Sequence, residues 1–418
     1  MAFRTESEEA MGIKGRSSAK IVCWLLGYGN LIAWSCMLNV VDYYSAIFPR
    51  YHPTRVLTLI YQPFAFGTIA ILTYHESKLN TRLRIIFGYT LFVICSLLQI
   101  VIDLITLGKG GIGAFICLCI ISAAFGVGDA YIQGGMIGEL SFMNPEFMQS
   151  FLAGIAASGA LTSAVRLITK AVFERATDGL RKGALMFFAI ALLFEILCVV
   201  LYAFVFPKLP IVKYYRAKAA SEGSKTVSAD LAAAGIQLEN EKKEEEDPKD
   251  FRLRSLRQLV IENLDYELDL CLIYVLTLSI VPGFLSEDTG NHSLRSWYAL
   301  VLISMYTAFD LIGRYPPMIK SLYIESRKWL MLAVLSRFLF VPAFYFIAKY
   351  GGQAWMIIVS SLLGLTNGYL TVCILTAAPS GYMGPEANAL GNLMVLFCFG
   401  GILAGAALDW LWLIGKGW

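Results

Sequence analysis

Charged side chains are scarce in this 418-residue chain, which has 57% hydrophobic residues and only 16% charged residues. Soluble domains carry about a quarter charged residues, so this composition indicates an integral membrane protein. Histidine is also scarce: all three residues lie in or near predicted loops, and a histidine proton relay through the membrane is not expected. The net charge of +3 is too small to suggest a nucleic-acid partner.

Sequence motifs for several chemistries are missing as well. The chain has no GxxxxGKS or GxxxxGKT phosphate loop, no HExxH zinc motif and no GxSxG nucleophile elbow. We therefore predict that the protein is not an enzyme and needs no metal or other cofactor. The nine cysteines lie in apolar segments without a CxxC pair, so free thiols are expected rather than disulfides or a zinc site.

Long apolar runs are abundant, and eleven of them are long enough to cross a bilayer as helices. They lie at about 21–46, 56–75, 85–107, 111–139, 147–173, 183–206, 267–286, 296–314, 328–349, 353–378 and 386–414. The sequence therefore predicts an all-α membrane protein with eleven transmembrane helices. The first twenty residues carry charges of both signs and show no signal peptide, so the first run is expected to remain as an anchor.

A polar segment divides these runs into six and five. We predict an N-terminal six-helix bundle at 1–206, a partly disordered cytoplasmic loop at 207–264 and a C-terminal five-helix bundle at 265–418. The odd number of spans places the two chain ends on opposite sides. Lysine and arginine in the N-terminal tail and the long loop put the N-terminus in the cytoplasm and the C-terminus outside. The sequon at Asn291 then falls in an outer loop as a candidate glycosylation site.

The most informative polar residues follow the apolar run 299–308. Asp310 and Arg314 are four residues apart, so on a helix they share one face and can form an ion pair. A carboxylate and a guanidinium at this depth are costly unless they face each other or a water-filled cavity. Two interpretations stay open: a structural pair that joins helices, or a substrate or proton site inside a transporter.

Polar and aromatic residues also mark the first and fourth helices. Trp34 lies too deep for an interfacial aromatic belt, so its ring either stacks on a planar ligand or packs in the core. The Gln133 amide can donate and accept, which suits the edge of a nucleobase or the hydroxyls of a sugar. Asp129, one turn earlier, and Glu139, near the inner end, are candidate proton-coupling acids.

Two irregular helices are predicted in the second half. Pro342, which follows Arg337 by five residues, predicts a kink in the ninth helix. The sequence NGYL at 367–370 predicts an interruption of the tenth helix, which would free backbone groups to line a cavity. The last helix has small residues, including Gly391 and Gly401, and this face is expected to pack closely against a neighbouring helix.

Taken in order, these residues resemble the equilibrative nucleoside transporter family, and its plant members in particular. The resemblance runs from the first helix to the last and is carried by LGYG at 26–29 leading to Trp34, QGGMIG at 133–138, DLIGR at 310–314, RFLFVP at 337–342 and NGYL at 367–370. It implies a fold related to the major facilitator superfamily with one helix fewer, and alternating access around a central site.

The resemblance also implies roles for individual residues. By this comparison, Leu31 and Trp34 lie against the nucleoside, and Gln133 hydrogen-bonds the base. The Asp310 carboxylate accepts hydrogen bonds from the ribose hydroxyls, and the Arg314 guanidinium donates to them.

The function implied by the resemblance is transport of purine and pyrimidine nucleosides, such as adenosine and uridine. We expect a monomer, and the plasma membrane rather than the vacuole because no sorting signal stands out. Ser35 and Gly135 depart from the residues usual in the family, so the base preference of animal relatives is not carried over. Energy coupling stays open between facilitated diffusion and proton symport through a buried acid: Asp129, Asp310 or Glu139. The alternatives are a carrier of nucleobases, cytokinins or another polar solute such as a sugar, and a non-transporting receptor or scaffold.

Overall fold

The protein is described by a computed structural model whose regular structure, within the residues it describes, is helical throughout. It describes residues 15–40, 43–44, 47–48, 51, 53–75, 80–173, 178–233, 254–281, 283–287, 297–382 and 384–413. The Asn291 sequon, both chain ends and residues 234–253 of the predicted loop lie outside this set.

The helices are numbered here in chain order. They are α1 (Arg16–Asn39), α2 (Pro53–Tyr74), α3 (Thr81–Thr106), α4 (Ile112–Ser141), α5 (Pro145–Phe173), α6 (Gly179–Val200), α7 (Pro210–Ala233), α8 (Leu256–Leu278), α9 (Gly283–Glu287), α10 (Tyr298–Gly313), α11 (Arg327–Ser336), α12 (Phe340–Tyr350), α13 (Gln353–Ala377) and α14 (Gly384–Asp409). Helix α6 continues through a π-helical turn, Leu201–Val205, and a short 3-10 helix, Phe206–Lys208. The first part of the predicted central loop is thus helical, as α7.

The distribution of polar and apolar residues on helix α3 is that of a helix in a lipid bilayer. It buries its polar residues, including Arg84 and Gln99, which are 5% and 4% exposed. Its apolar residues point outward instead, with Ile94 49% and Ile105 75% exposed. A water-soluble helix has the opposite distribution, whereas a helix in a bilayer must place polar groups inside the protein, where they find partners.

Nine helical segments of the described chain are long and apolar enough to cross a membrane. They do not include α1 and α10, which nevertheless pack extensively within the bundle, α1 against α5 and α10 against α13. The structure therefore supports a multi-pass, all-helical membrane protein.

The same pairing of helices occurs in both halves. In the first half, α1 packs against α5 and α2 against α4; in the second, α8 packs against α14 and α10 against α13. Each half therefore joins its first spanning segment to its fifth, and its second to its fourth. The halves meet where α14 contacts α4 and α2, and where α10 contacts α5. A site between the halves is consequently bordered by residues of all these helices.

Glycines allow the closest of these helix crossings. A Cβ atom on Gly27 of α1 would lie 2.0 Å from the Phe151 carbonyl oxygen of α5, and one on Gly154 of α5 would lie 2.0 Å from the Trp24 carbonyl oxygen of α1. The two helices thus approach backbone to backbone, and any larger side chain at either position would force them apart.

The interruption predicted at 367–370 is wrong, whereas near Pro342, where a kink is predicted, the helix changes locally to a 3-10 turn. Between α11 and α12 the chain forms a 3-10 turn, Arg337–Leu339. Helix α13 runs through 367–370 without a break. Gly368 serves close packing there, because a Cβ atom on it would lie 2.1 Å from the Asp310 carbonyl oxygen of α10.

Helix α8 begins earlier than the apolar pattern suggests. Ser255 caps it in a reciprocal capping box with Gln258, so the domain boundary predicted at residue 265 falls inside a helix. The helix is kinked at Asn263, which has non-helical angles of φ −121° and ψ 15°. The polar residues before 265 are therefore the first turns of a membrane helix.

Candidate functional site

Asp310 and Arg314 form the ion pair that their spacing predicts. Asp310 lies in the last turn of α10, and Arg314 directly follows the helix. Arg314 Nη2 and Nε donate to Asp310 Oδ2 at 3.0 and 3.2 Å, and the two residues are 4% and 6% exposed. Asn367 of α13 donates to the other carboxylate oxygen at 2.7 Å. Both Asp310 oxygens are therefore engaged, in a geometry suited to an ionised carboxylate.

A second buried guanidinium completes this cluster. Arg337, 2% exposed, donates through Nη2 to the Thr277 hydroxyl at 2.9 Å and through Nη1 to the Ile273 carbonyl oxygen at 3.3 Å. The Thr277 hydroxyl in turn donates to Asn367 Oδ1 at 2.8 Å. A chain of hydrogen bonds thus connects Arg337 to Asp310, and it fixes α8, α10, α13 and the 3-10 turn together.

Arg314 also reaches the other half of the protein. Its Nη1 donates to the Leu152 carbonyl oxygen of α5 at 2.7 Å. A movement of the halves relative to each other would break this bond, whereas the Asp310 contact lies within one half. The Arg314 guanidinium thus pairs with the Asp310 carboxylate within the second half and also contacts the first half across the interface.

Asp129 is the centre of the corresponding polar cluster in the first half. Its carboxyl accepts from Asn30 Nδ2 of α1 at 3.1 Å and from the Tyr61 hydroxyl of α2 at 2.5 Å. Both partners are neutral, and no salt bridge to Asp129 is found among the described residues. Asp129 is thus held by three helices without a compensating positive charge in hydrogen-bond contact.

Trp34 is half-buried and stacks on the same tyrosine. The ring centroids of Trp34 and Tyr61 lie 4.2 Å apart with an interplanar angle of 28°. Leu31, one turn earlier in α1, is also half-buried and packs against the main core. Sequence reasoning missed Tyr61. The available signal was a tyrosine deep in an apolar run, since a buried tyrosine hydroxyl usually has a hydrogen-bond partner.

Gln133 lies one turn after Asp129 and is 8% exposed. Within the described part of the chain no hydrogen bond engages its amide, which leaves that group available to a ligand. The glycines that follow it face α3 instead. A Cβ atom on Gly134 would lie 2.1 Å from Arg84 Nη2, and one on Gly135 would lie 2.6 Å from Ile85 Cγ1. Gly135 therefore serves contact with α3.

Glu139 has a different environment from Asp129. It accepts from the Tyr202 hydroxyl at 2.8 Å and from Arg216 Nε at 2.6 Å. Burial of Arg216 opposes its charge, but the Glu139 carboxylate more than offsets this and raises the arginine pKa above its ordinary value. This candidate acid is thus ion-paired, and it ties α4 to α6 and α7.

Helix α14 packs against helices that carry members of both polar clusters. It contacts α2 and α4, which carry Tyr61 and Asp129, and α8, which carries Thr277. The structure therefore has Trp34, Tyr61 and Asp129 in the first half and Asp310 with Arg314 in the second, with α14 packed against helices of both halves.

Comparison with known proteins gives close relatives over the whole chain. A family model described as "Nucleoside transporter" matches residues 116–414. The chain is 63% identical over 416 residues to Equilibrative nucleotide transporter 3 of Arabidopsis thaliana, covering 100% of this chain and 99% of that protein. It is 61% identical over 416 residues to Equilibrative nucleotide transporter 5 of the same organism, with the same coverage.

Solved structures resemble this one in fold. The proton:xylose symporter XylE, a major facilitator superfamily protein bound to 6-bromo-6-deoxy-D-glucose, gives a TM-score of 0.61 at 12% identity, over 96% of this chain and 88% of that one. A bacterial homologue of the iron transporter ferroportin in its outward-facing state gives 0.56 at 15% identity, over 93% and 92%. At such low identity the likeness concerns the fold, which is that of the major facilitator superfamily.

Proposed function

Because the chain belongs to the nucleoside transporter family, we propose that it carries purine and pyrimidine nucleosides across a membrane by alternating access of two helical halves. The observation that carries this proposal is the buried Asp310–Arg314 pair, which reaches the opposite half through the Leu152 carbonyl oxygen. A charged pair at an interface between moving halves can bind a polar solute in one state and exchange it for protein contacts in the other.

In this proposal the two clusters bind different parts of the substrate. The Asp310 carboxylate accepts from the ribose hydroxyls while Arg314 donates to them, in place of the contact to Leu152. The Gln133 amide, unengaged among the described residues, hydrogen-bonds the base edge. The half-buried indole ring of Trp34 and the half-buried side chain of Leu31 cover the face of the base.

The arginine side chains of the site already have hydrogen-bond partners, which favours a nucleoside over a charged nucleotide as the substrate. The relatives are named nucleotide transporters. In this structure Arg314 is bonded to Asp310 and Leu152, and Arg337 to Thr277 and Ile273. A phosphate would have to take charged partners such as Arg314 from Asp310, whereas the neutral ribose hydroxyls displace only the contact of Arg314 to the Leu152 carbonyl oxygen. We therefore infer a preference for the unphosphorylated form.

For the membrane arrangement, we infer eleven spans in a 6+5 order. Helices α1 and α10 would add to the nine segments that are long and apolar enough, since both pack at the centre of their halves. We place the N-terminus in the cytoplasm, the C-terminus outside and the protein in the plasma membrane as a non-enzymatic carrier. Asp129 is the favoured acid if protons drive uptake, because Glu139 is already paired with Arg216.

The test is uptake of labelled adenosine into proteoliposomes, with and without an inward proton gradient and with excess unlabelled adenosine, AMP, adenine or glucose as competitor. We expect saturable uptake that adenosine suppresses far better than AMP or adenine. Protonophore-sensitive accumulation would mean symport, and equilibration would mean facilitated diffusion. Absence of uptake by folded protein, or stronger competition by AMP, adenine or glucose, would overturn the proposed substrate class.

A further inference from the structure

Helix α8 carries a carboxyl group that is enclosed by the protein without a hydrogen-bond partner. Glu267 is 0% exposed, and neither of its two carboxyl oxygens receives a hydrogen bond from any residue that the structure describes. Asp269, two residues later, is 1% exposed, and its Oδ1 also lacks a partner among those residues. The carboxyls of other buried acids in the bundle do accept hydrogen bonds: Asp129, Glu139, Glu195 and Asp310.

An ionised carboxylate cannot be held in this way at an acceptable free energy. Burying a charge that is neither paired nor hydrogen-bonded costs several kcal/mol or more, and such groups become neutral instead. The geometry of Glu267 therefore fits the protonated acid. Asp310, which has a guanidinium and an amide on its oxygens, fits the ionised form.

Several charged groups on and around α8 form ion pairs or hydrogen bonds with residues other than Glu267. On α8 itself, Asp265 pairs with Arg327 of α11 at 3.1 Å, and Glu262 pairs with Arg254 at 3.2 Å. The charged or titratable residues on the elements packed against α8 are Arg327 and the exposed Lys328 on α11, Arg337 in the 3-10 turn, Tyr369 and Cys373 on α13, and Glu386, Cys398 and Asp409 on α14. Arg337 is bonded to Thr277 and Glu386 to Arg254. No cation in the described chain is within hydrogen-bond distance of Glu267.

The backbone next to Glu267 is already distorted. The kink of α8 at Asn263 lies four residues before it, where the Asn263 amide donates to the Leu259 carbonyl oxygen at 3.1 Å and to the Tyr382 hydroxyl at 2.7 Å. Helix α8 packs along α14, which in turn contacts α4 and α2 of the first half. Helix α8 is therefore connected through α14 to the interface between the halves.

We infer that Glu267 is a proton-binding site of this transporter, protonated while enclosed and able to lose its proton when the halves rearrange. The carboxyl takes one proton from water on the outer side, forming an O–H bond, and gives it to water on the inner side, where that bond breaks. No other reactant is needed. The inference rests on the proposed function, because it makes Glu267, in addition to Asp129, an acid whose proton couples to nucleoside uptake.

Infrared spectroscopy of the purified protein tests the site independently of transport. Wild type minus E267Q at neutral pH should contain the carbonyl band of a protonated carboxylic acid, because glutamine lacks it. E139Q is the matched control: Glu139 is paired with Arg216, so that difference spectrum should contain the bands of a carboxylate and of the glutamine amide but no band of a protonated acid. If E267Q does not fold, E267D replaces it and should keep the protonated-acid band at a shifted position. Difference spectra without any change in that band would overturn the assignment.

Proteoliposome transport tests the coupling. E267Q should retain exchange of labelled for unlabelled adenosine at a rate within about twofold of wild type, and should lose accumulation driven by a proton gradient, since glutamine imitates the protonated acid but releases no proton. Undiminished accumulation by E267Q would overturn the inference. Exchange without accumulation in the wild type would also overturn it while leaving the carrier function intact. Absence of exchange in the wild type would instead overturn the proposed function.

Discussion

At the scale of single residues, Tyr61 connects two side chains that the sequence singled out separately. Its ring stacks on Trp34, and its hydroxyl donates to Asp129 at 2.5 Å. One residue thus links the proposed surface for the base to the acid proposed for proton coupling.

Removing only the hydroxyl of Tyr61 should separate these two contacts. Tyr61→Phe keeps the stacked ring but loses the hydrogen bond to Asp129, at a cost of roughly 1–3 kcal/mol in the free energy of unfolding. Adenosine affinity should stay close to wild type because Trp34 remains supported, while the maximal uptake rate changes. The measurements are thermal unfolding, equilibrium binding and uptake.

A matched control for Tyr61→Phe is Tyr89→Phe. Tyr89 is equally a buried tyrosine, but its hydroxyl donates to the Leu26 carbonyl oxygen rather than to an acid. It should lose a similar or smaller amount of stability and keep the wild-type uptake rate. If both variants change uptake equally, the link through Asp129 has no special role.

Asp310→Asn should destabilise the protein by removing the negative partner of a buried guanidinium. Breaking a buried ion pair typically costs about 3–5 kcal/mol, because the remaining charge is uncompensated. The double variant Asp310→Asn with Arg314→Gln should recover part of this loss in thermal unfolding, yet transport no nucleoside. Wild-type uptake by the double variant would contradict the proposed ribose contacts.

The sequence identified some members of the site and missed others for a physical reason. Asp310 and Arg314 stand out because ionisable residues are rare in apolar runs, and their spacing sets the contact within about one helical turn. Tyr61 and Asn367 acquire their roles through other helices: Tyr61 of α2 meets Asp129 of α4, and Asn367 of α13 meets Asp310 of α10. Such contacts depend on the tertiary arrangement, which local patterns do not specify.

At the scale of helices, the long apolar runs predicted the positions of helices well. The structure of the polar stretches was predicted poorly. The fourth run, predicted at 111–139, is the helix Ile112–Ser141. The segment after 207 was expected to be a loop, but α7 occupies Pro210–Ala233, and part of it is fixed by Ile211 and Val212, which are buried. These contacts come from the rest of the bundle, so the low hydrophobicity of the segment did not reveal them.

The contact between α7 and the bundle yields a prediction for Arg216→Gln. The guanidinium is 29% exposed, but its partner Glu139 is only 5% exposed, so the change leaves a buried carboxylate without its cation and should cost about 1–3 kcal/mol in the free energy of unfolding. It should also speed backbone hydrogen exchange in the first turns of α7. Lys213→Gln is the control, because Lys213 is exposed on the same helix. Equal exchange in both variants would mean that Ile211 and Val212 alone hold α7.

At the scale of the whole molecule, the contact between α4 and α14 is one of those that join the two halves. Gly138 and Gly391 meet there without side chains. Beside them, Arg84 of α3 donates to Asn392 of α14 at 2.8 Å. This polar, tightly packed contact has to open and reform in every transport cycle if the halves alternate.

Gly391→Val should prevent this contact from closing. A Cβ atom at 391 would already lie 2.4 Å from Ser141 Oγ and 3.0 Å from Gly138 Cα, so the larger side chain forces α4 and α14 apart. We expect adenosine uptake in proteoliposomes to fall at least about tenfold, since holding the contact open by about 1.4 kcal/mol or more shifts the equilibrium by that factor. Backbone exchange in residues 385–395 should become faster.

Gly113→Val tests whether the effect of Gly391→Val arises from the interface. Gly113 also lies in a membrane helix, but a Cβ atom there meets nothing within 4 Å, so the substitution should leave uptake and exchange unchanged. If Gly391→Val folds and transports like Gly113→Val, the α4–α14 contact does not close during transport, and the halves must move about a different interface. The other contacts between the halves include those of α14 with α2 and of α5 with α10, where Arg314 meets Leu152.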